Sequence, residues 1–206
     1  MAQYNINLKR DLRKSLLLGR ESISVKDRQE WERAIAMHLL KFLPISPMDK
    51  VAGYLSVKSE VDISIFTEIL WDKSVKYALP KIVNGSRLLE FYQYNKGDKL
   101  VKNLFQIAEP EAAQNVNSSK HILPNIIIVP LLGFDENLNR IGYGGGFYDA
   151  TIEEYGKNNY DCTFIGVAFE KQKIQQIPTD KLDKKLDAVI TEKQIYFNNS
   201  TFANFF

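Results

Sequence analysis

The chain has one cysteine, Cys162, in 206 residues. An intramolecular disulfide is therefore excluded, and the composition fits a reducing compartment. Histidine is almost as scarce. His38 and His121 are isolated, with no cysteine or acidic cluster beside them, which excludes the usual zinc sites and histidine dyads. Long apolar runs are missing too. Leu16-Leu17-Leu18 is too short for a signal segment, and nothing approaches the ~20 residues that span a bilayer. No charge excess exists: 27 Lys and Arg against 25 Asp and Glu leave +2, which gives no footprint for nucleic acid or membrane. These absences predict a cytoplasmic protein. Nucleophile elbows of the G-x-S-x-G type are absent, as are G-x-x-x-x-G-K-[ST] and G-x-G-x-x-G loops.

What remains is an ordinary globular composition, 45% hydrophobic and 25% charged. A chain of this length buries roughly 70% of its unfolded surface, enough for a core without staples. No repeat or linker divides it, so residues 1–206 are expected to form one domain. Leu8, Leu12 and Leu16 predict a first helix, with Gly19 near its end. Lys9 and Arg13 share one face of it, and Arg10 and Lys14 the adjacent one. Ser24 with Asp27 resembles a capping box, opening a helix with Trp31, Ile35, His38 and Phe42 inward. Val51–Val57 reads as a strand, followed by a helix from about Asp62 with Ile63, Phe66 and Leu70 buried. Val75–Leu79 is a strand expected to stop at Pro80. Arg87–Tyr94 is another strand, and Glu109–Lys120 a surface loop. Ile126–Val129 is a continuous β-branched run, the pattern of a parallel strand covered on both faces. Cys162–Phe169 and Ala188–Thr191 add strands, and Cys162 is expected to be a small core residue. The alternation predicts an α/β fold with a mixed, mostly parallel sheet flanked by helices.

The segment Val129–Asp135 followed by Arg140-Ile-Gly-Tyr-Gly-Gly-Gly-Phe-Tyr-Asp149 carries the chemical signal. Four of the eleven glycines fall within five residues, just beyond a buried strand and ahead of a helix expected from Gly146 through Ile152. Glycines there let backbone approach a phosphate, and the helix N-terminus adds oriented N–H donors. Arg140 before them offers a guanidinium to phosphate, and Asp149 after them a carboxylate to a metal. The competing structural reading is a loop that simply needs positive φ. For Lys9, Arg10, Arg13 and Lys14 it is a solvated helix face; for Glu60 and Asp62, cap chemistry; for Phe147 and Tyr148, core packing.

With Lys9-Arg10-Asp11-Leu12-Arg13, Tyr54-Leu55-Ser56 with Glu60-Val61-Asp62, Gly133-Phe134-Asp135 and Leu186-Asp187-Ala-Val-Ile-Thr191, this segment resembles the 5-formyltetrahydrofolate cyclo-ligase family over nearly the whole chain. The resemblance implies a cytoplasmic monomer that closes 5-formyltetrahydrofolate, with or without a polyglutamate tail, to 5,10-methenyltetrahydrofolate while splitting ATP. It implies a fold like that of ribose-5-phosphate isomerase and the CoA transferases. Arg140 and Tyr148 would be catalytic. Lys9, Arg10, Arg13 and the stretch Arg140, Ile141, Gly142, Tyr143, Gly144, Gly145, Gly146, Phe147 and Tyr148 would bind ATP. Arg13, Leu55, Glu60, Tyr143, Gly144, Gly145, Gly146 and Phe147 would contact folate, and Asp149 and Asp187 would hold Mg²⁺. Three positions depart from the pattern common in bacterial relatives: Gln106 for glycine, Ala150 for arginine and Leu182 for histidine. None removes a ligand of the implied site. The alternatives are a noncatalytic folate or nucleotide binder of the same fold, or an RNA-associated protein, which the near-neutral charge disfavours.

Overall fold

A computed structural model describes residues 2–103, 107–111 and 120–198, with backbone alone over 2–6. Gln106 and most of the polar stretch before Lys120 lie outside the described residues. Helix α1 (Ala2–Glu21) is followed by α2 (Val25–Phe42), whose first turn is capped by Ser24 Oγ accepting from Asp27 N at 3.1 Å. Next come β1 (Lys50–Ala52), α3 (Ser64–Asp72), β2 (Lys76–Ile82) and β3 (Leu89–Gln93). Short strands β4 (Leu100–Lys102), β5 (Ala108–Pro110) and β6 (His121–Ile122) lead to β7 (Ile126–Pro130). The hairpin β8 (Gly133–Phe134) and β9 (Arg140–Ile141) precedes α4 (Phe147–Lys157). Strands β10 (Thr163–Val167), β11 (Ala188–Ile190) and β12 (Ile195–Phe197) complete the fold.

Eight strands form one sheet in the order β12-β11-β10-β7-β1-β2-β3-β6. The inner five are parallel, while β12, β3 and β6 pair antiparallel at the two margins. Strand β7 runs through the middle, and its four β-branched residues face alternately up and down. Ile126 and Ile128 join the layer under α2 and α3, with Ile35, Leu39, Phe66 and Leu70. Ile127 and Val129 join the opposite layer with Ala52, Ala78, Phe164 and Tyr155 of α4. A helix on each face leaves no polar side for this strand, which is why its sequence does not alternate.

Several boundaries differ from expectation. Strand β1 stops at Ala52, well short of Val57. Pro80 does not end β2 but lies inside it, opposite Phe91. Its ring nitrogen faces the β1 side, where β1 has already ended, so no ladder donor is lost. Two residues on, Ile82 N on the same side donates to Glu109 Oε1 at 3.1 Å. Glu109 is accordingly buried in β5 rather than part of a surface loop. The α2 core stripe is Ile35, Ala36, Leu39 and Phe42, with Trp31 and His38 half-buried at its margins. Helix α3 begins at Ser64 with Ile63 as its N-cap, and Ser64 N–H donates to Asp62 Oδ1 at 2.8 Å in the turn just before it. Cys162 is half-buried just before β10, and burial raises its thiol pKa.

Helix α1 does not lie on the sheet. Leu16, with Leu12 beside it, packs on Leu132, Ile141 and Ile177, the segments that follow β7. Its polar face is thereby set against the glycine-rich segment. Among the described residues, no helix is long and apolar enough to cross a membrane.

Candidate active site

The chain leaves β7 at its carboxyl end and turns back through the β8–β9 hairpin. Asp135, fully buried, holds this turn: Oδ1 accepts from the backbone N–H of Asn137 and Asn139, and Oδ2 from that of Ile177. A carboxylate satisfied by several N–H donors tolerates burial. The hairpin then delivers Arg140 and Ile141, and Ile141 is a core anchor against Leu16. Gly144 (φ 101°) and Gly146 (φ 71°) occupy the left-handed region, so the loop needs glycine at both. Gly146 is the N-cap of α4, and the helix opens with the N–H groups of Phe147, Tyr148 and Asp149.

Three of the expected cations reach this loop or its border. Arg13 Nε donates to Gly142 O at 2.8 Å, and the guanidinium lies so close over Gly144 that a Cβ there would sit 3.3 Å from it. Arg140, with a side chain only 6% exposed, donates from Nη2 to Asp149 Oδ1 at 2.9 Å and from Nη1 to Lys184 O at 2.5 Å. Lys9 is buried between Asp180 (2.9 Å) and Asp183 (2.5 Å). Burial alone would lower its pKa, but the hydrogen bonds it donates to Asp183 and Asp180 outweigh that and raise it. Arg10 is not brought in. It is exposed beside Asp11 on the outer face of α1.

Glu60 lies on the far side of the loop. Its Oε2 accepts from Val57 N at 2.8 Å, and burial raises its pKa against the pull of that N–H, Arg20 and Tyr143. Tyr143 is half exposed, its hydroxyl accepts from Arg20, and burial, followed by the charge of Glu60, raises its pKa. Tyr148 faces inward, and burial raises its pKa, followed by the field of Glu60. Leu55 lines a cleft of about 300 Å³ with Tyr54, Ile63, Trp71 and Tyr94. Phe147 is half-buried against Gly145.

The two proposed metal carboxylates are engaged separately. Asp149 Oδ1 accepts from Arg140 and from Lys184 N (3.0 Å), whereas Asp187 Oδ2 accepts from Phe164 N (2.7 Å) at the start of β10. They share no partner, and among the described residues no group of three or more His, Cys, Asp or Glu is poised for a metal. Of the departures, Leu182 is exposed and Ala150 continues α4, its N–H donating to Gly146 O.

The residue most clearly missed is Arg20, 1% exposed and central to the Glu60 side. Its spacing could have revealed it: positions 9, 13 and 20 fall within about 40° on a helix. Asp180, Asp183 and Arg87, whose side chain runs beside Gly146, were missed as well, because only folding brings them here.

A glycine-rich loop at a helix N-terminus, beyond the carboxyl end of a central parallel strand and flanked by arginines, defines the class of α/β proteins that bind phosphorylated ligands. The model of the 5-formyltetrahydrofolate cyclo-ligase family matches residues 5–192, and the chain belongs to that family. It is similar to the 5-formyltetrahydrofolate cyclo-ligase of Escherichia coli K12, with 29% identity over 183 residues, 86% of this chain and 96% of that one. The Haemophilus influenzae cyclo-ligase is 26% identical over 88% of this chain and 96% of its own length. Among solved structures, the 5,10-methenyltetrahydrofolate synthetase of Aquifex aeolicus superposes with a TM-score of 0.73, at 28% identity over 92% of each chain. That of Mycoplasma pneumoniae, at 23% identity, shares the fold with a TM-score of 0.69, covering 89% of this chain and 98% of that one.

Proposed function

We propose that this chain is a single-domain ligase that closes 5-formyltetrahydrofolate to 5,10-methenyltetrahydrofolate with conversion of ATP to ADP and phosphate. The observation that carries this reading is Tyr143, which sits within the glycine-rich loop and whose hydroxyl meets the buried Arg20, itself bonded to Ser59 beside Glu60. A loop suited to phosphate and a carboxylate suited to paired N–H donors are thus immediate neighbours, as a reaction between ATP and a pterin requires.

The formyl oxygen is a poor leaving group. It attacks the γ-phosphorus, the bond to ADP breaks, and an imidate-like phosphate forms. The neighbouring anilino nitrogen then attacks the activated carbon, loses its proton, and phosphate departs. No covalent enzyme intermediate is needed, so the protein's work is alignment and charge neutralisation. Loop amides from Ile141 to Gly146 and the α4 N-terminus would cradle the triphosphate, with Arg13 above them. Lys9 and Arg140 would join by exchanging their carboxylate partners for phosphate oxygens. Glu60 would accept from the pterin edge, Tyr143 and Phe147 would offer ring faces, and Leu55 would line the substrate cleft. Tyr148, held inward beside Glu60, would close the reacting centre against water.

Asp149 and Asp187 would be the carboxylates to hold magnesium. Asp149 Oδ2 and Asp187 Oδ1 have no donor among the described residues, and burial raises the Asp187 pKa with only Phe164 N opposing it. A bound ion would neutralise charge on the phosphate oxygens. The enzyme would act as a cytoplasmic monomer, on folate with or without a polyglutamate tail, without nucleic-acid or membrane partners.

The test follows absorbance of the methenyl product from purified protein, 5-formyltetrahydrofolate, ATP and Mg²⁺, omitting each in turn. Product only in the complete mixture, with one ADP per turnover, is expected. Folded protein that binds ATP yet forms no product would instead be a noncatalytic binder.

A further inference from the structure

Arg20 is a fully buried cation whose role in the site is not explained by the ligand contacts proposed above. A guanidinium cannot shed its proton, so its burial demands a complete set of partners. Nε donates to Ser59 Oγ at 3.0 Å, Nη1 to Leu131 O at 3.2 Å and Nη2 to the Tyr143 hydroxyl at 2.5 Å. These acceptors come from three separate places: the turn that carries Glu60, the exit of β7, and the glycine-rich loop. All three are neutral, and the negative charge in the neighbourhood is that of Glu60, next in sequence to Ser59. Arg28 reinforces the clamp, donating to Ser59 O at 2.6 Å and to Arg20 O at 3.2 Å, with its guanidinium over Phe169. The Tyr143 hydroxyl accepts from Arg20, so the loop is joined through this one guanidinium to the Ser59 turn that carries Glu60.

We propose that Arg20 is a positioning residue that couples the two halves of the site, holding Tyr143 and the Ser59 turn that carries Glu60 in one hydrogen-bonded unit so that filling either the nucleotide loop or the folate side favours filling the other. The proposal rests on the folate and ATP assignments above. A loop fixed through Tyr143 is already ordered for phosphate, and a Glu60 whose turn is fixed through Ser59 is already aimed for N–H donors. The ordering is therefore done once for both ligands. Arg20 also has an electrostatic effect. The groups facing Glu60 are Arg20 from α1, Tyr143 from the loop, Tyr54 beyond β1 and Tyr148 of α4, and Arg20 is the cation among them. Its charge favours the ionised carboxylate, whereas burial opposes it.

The experiment measures 5-formyltetrahydrofolate affinity by calorimetry with and without a nonhydrolysable ATP analogue, and KM against pH, for wild type, Tyr143→Phe, Arg20→Lys and Arg20→Gln. In the wild type the analogue should tighten folate binding about tenfold, a typical coupling. Tyr143→Phe and Arg20→Lys should reduce that ratio to about one, while each ligand alone still binds. Arg20→Gln should also move the acidic rise in folate KM to higher pH, because Glu60 loses the charge that favoured ionisation. Arg20→Lys, which keeps the charge, should leave that limb in place. An unchanged coupling ratio in Tyr143→Phe and Arg20→Lys overturns the proposal, and Tyr143→Phe decides it alone should the Arg20 variants fail to fold. Wild-type protein that binds neither ligand would overturn the ligase assignment itself, an outcome distinct from both ligands binding without coupling.

Discussion

Arg140 Nη2 donates to Asp149 Oδ1 at 2.9 Å, so the cation assigned to phosphate and the carboxylate assigned to magnesium are closed on each other. Lys9 is closed likewise on Asp180 and Asp183. These carboxylates supply the anionic partners of both cations. Cations buried beside a loop stay satisfied this way until a stronger anion arrives.

Asp149→Asn keeps an acceptor for Lys184 N and removes the charge facing Arg140. Stability should fall by ~1–2 kcal/mol, the loss expected for one charge-assisted hydrogen bond. Turnover at saturating ATP should fall on the order of 100-fold, the scale of removing a group that neutralises transition-state charge. Calorimetric melting set beside kcat separates the two effects; losses of equal size would count against a metal role.

Gly144 and Gly142 make a matched pair. A side chain at Gly144 meets a left-handed backbone and lies 3.3 Å from the Arg13 guanidinium, whereas one at Gly142 meets nothing within 4 Å. Gly144→Ala should cost ~1–2 kcal/mol of backbone strain and raise the ATP KM about tenfold. Gly142→Ala should leave the melting temperature close to wild type. Similar behaviour in both would argue that loop conformation does not matter for nucleotide.

Lys9 has a pKa raised above 10.5 in the folded protein, so its pairs stabilise fully below that value and are lost as pH climbs through the folded pKa. Lys9→Met should therefore melt below wild type at neutral pH, by about 1 kcal/mol of stability. The gap should close in strong alkali, and again in strong acid as pH falls through the lowered pKa of Asp180. A gap that instead closed in mild acid would assign the effect to a different group.

Asp187→Asn removes a carboxyl whose pKa is raised by burial. Such a group takes stability away as pH rises from its unfolded pKa through its folded one. Without metal, the variant should gain on wild type across that window and keep the gain at neutral pH. Stabilisation by Mg²⁺ with an ATP analogue should weaken by at least about tenfold in metal affinity. A full magnesium response in thermal-shift titrations would remove Asp187 from the metal site.

Much of this arrangement was legible in the chain because its signals are local. Ile126–Val129 reads as a doubly covered strand, since a strand with a helix on each face has no polar side to encode. Ser24 and Asp27 announce a helix start because a cap is a three-residue interaction. The glycines before Asp149 announce a loop suited to phosphate because positive φ is a property of single residues. Pro80 misled, since its tolerance depends on where the neighbouring strand ends. Glu109 misled in the same way, because its burial depends on an N–H donor 27 residues earlier.

The sequence by itself determined the helices, the central strands, the glycine-rich loop and the family resemblance, all of which rest on contacts or patterns within a few residues. Only the tertiary structure decided which charges meet. It buried Arg20 and left Arg10 in solvent, although both sit on one helix, and it joined Lys9 to carboxylates more than 170 residues away. A charged residue has the same identity on a wet face and in a buried network, so its chemistry depends on what the fold places opposite it.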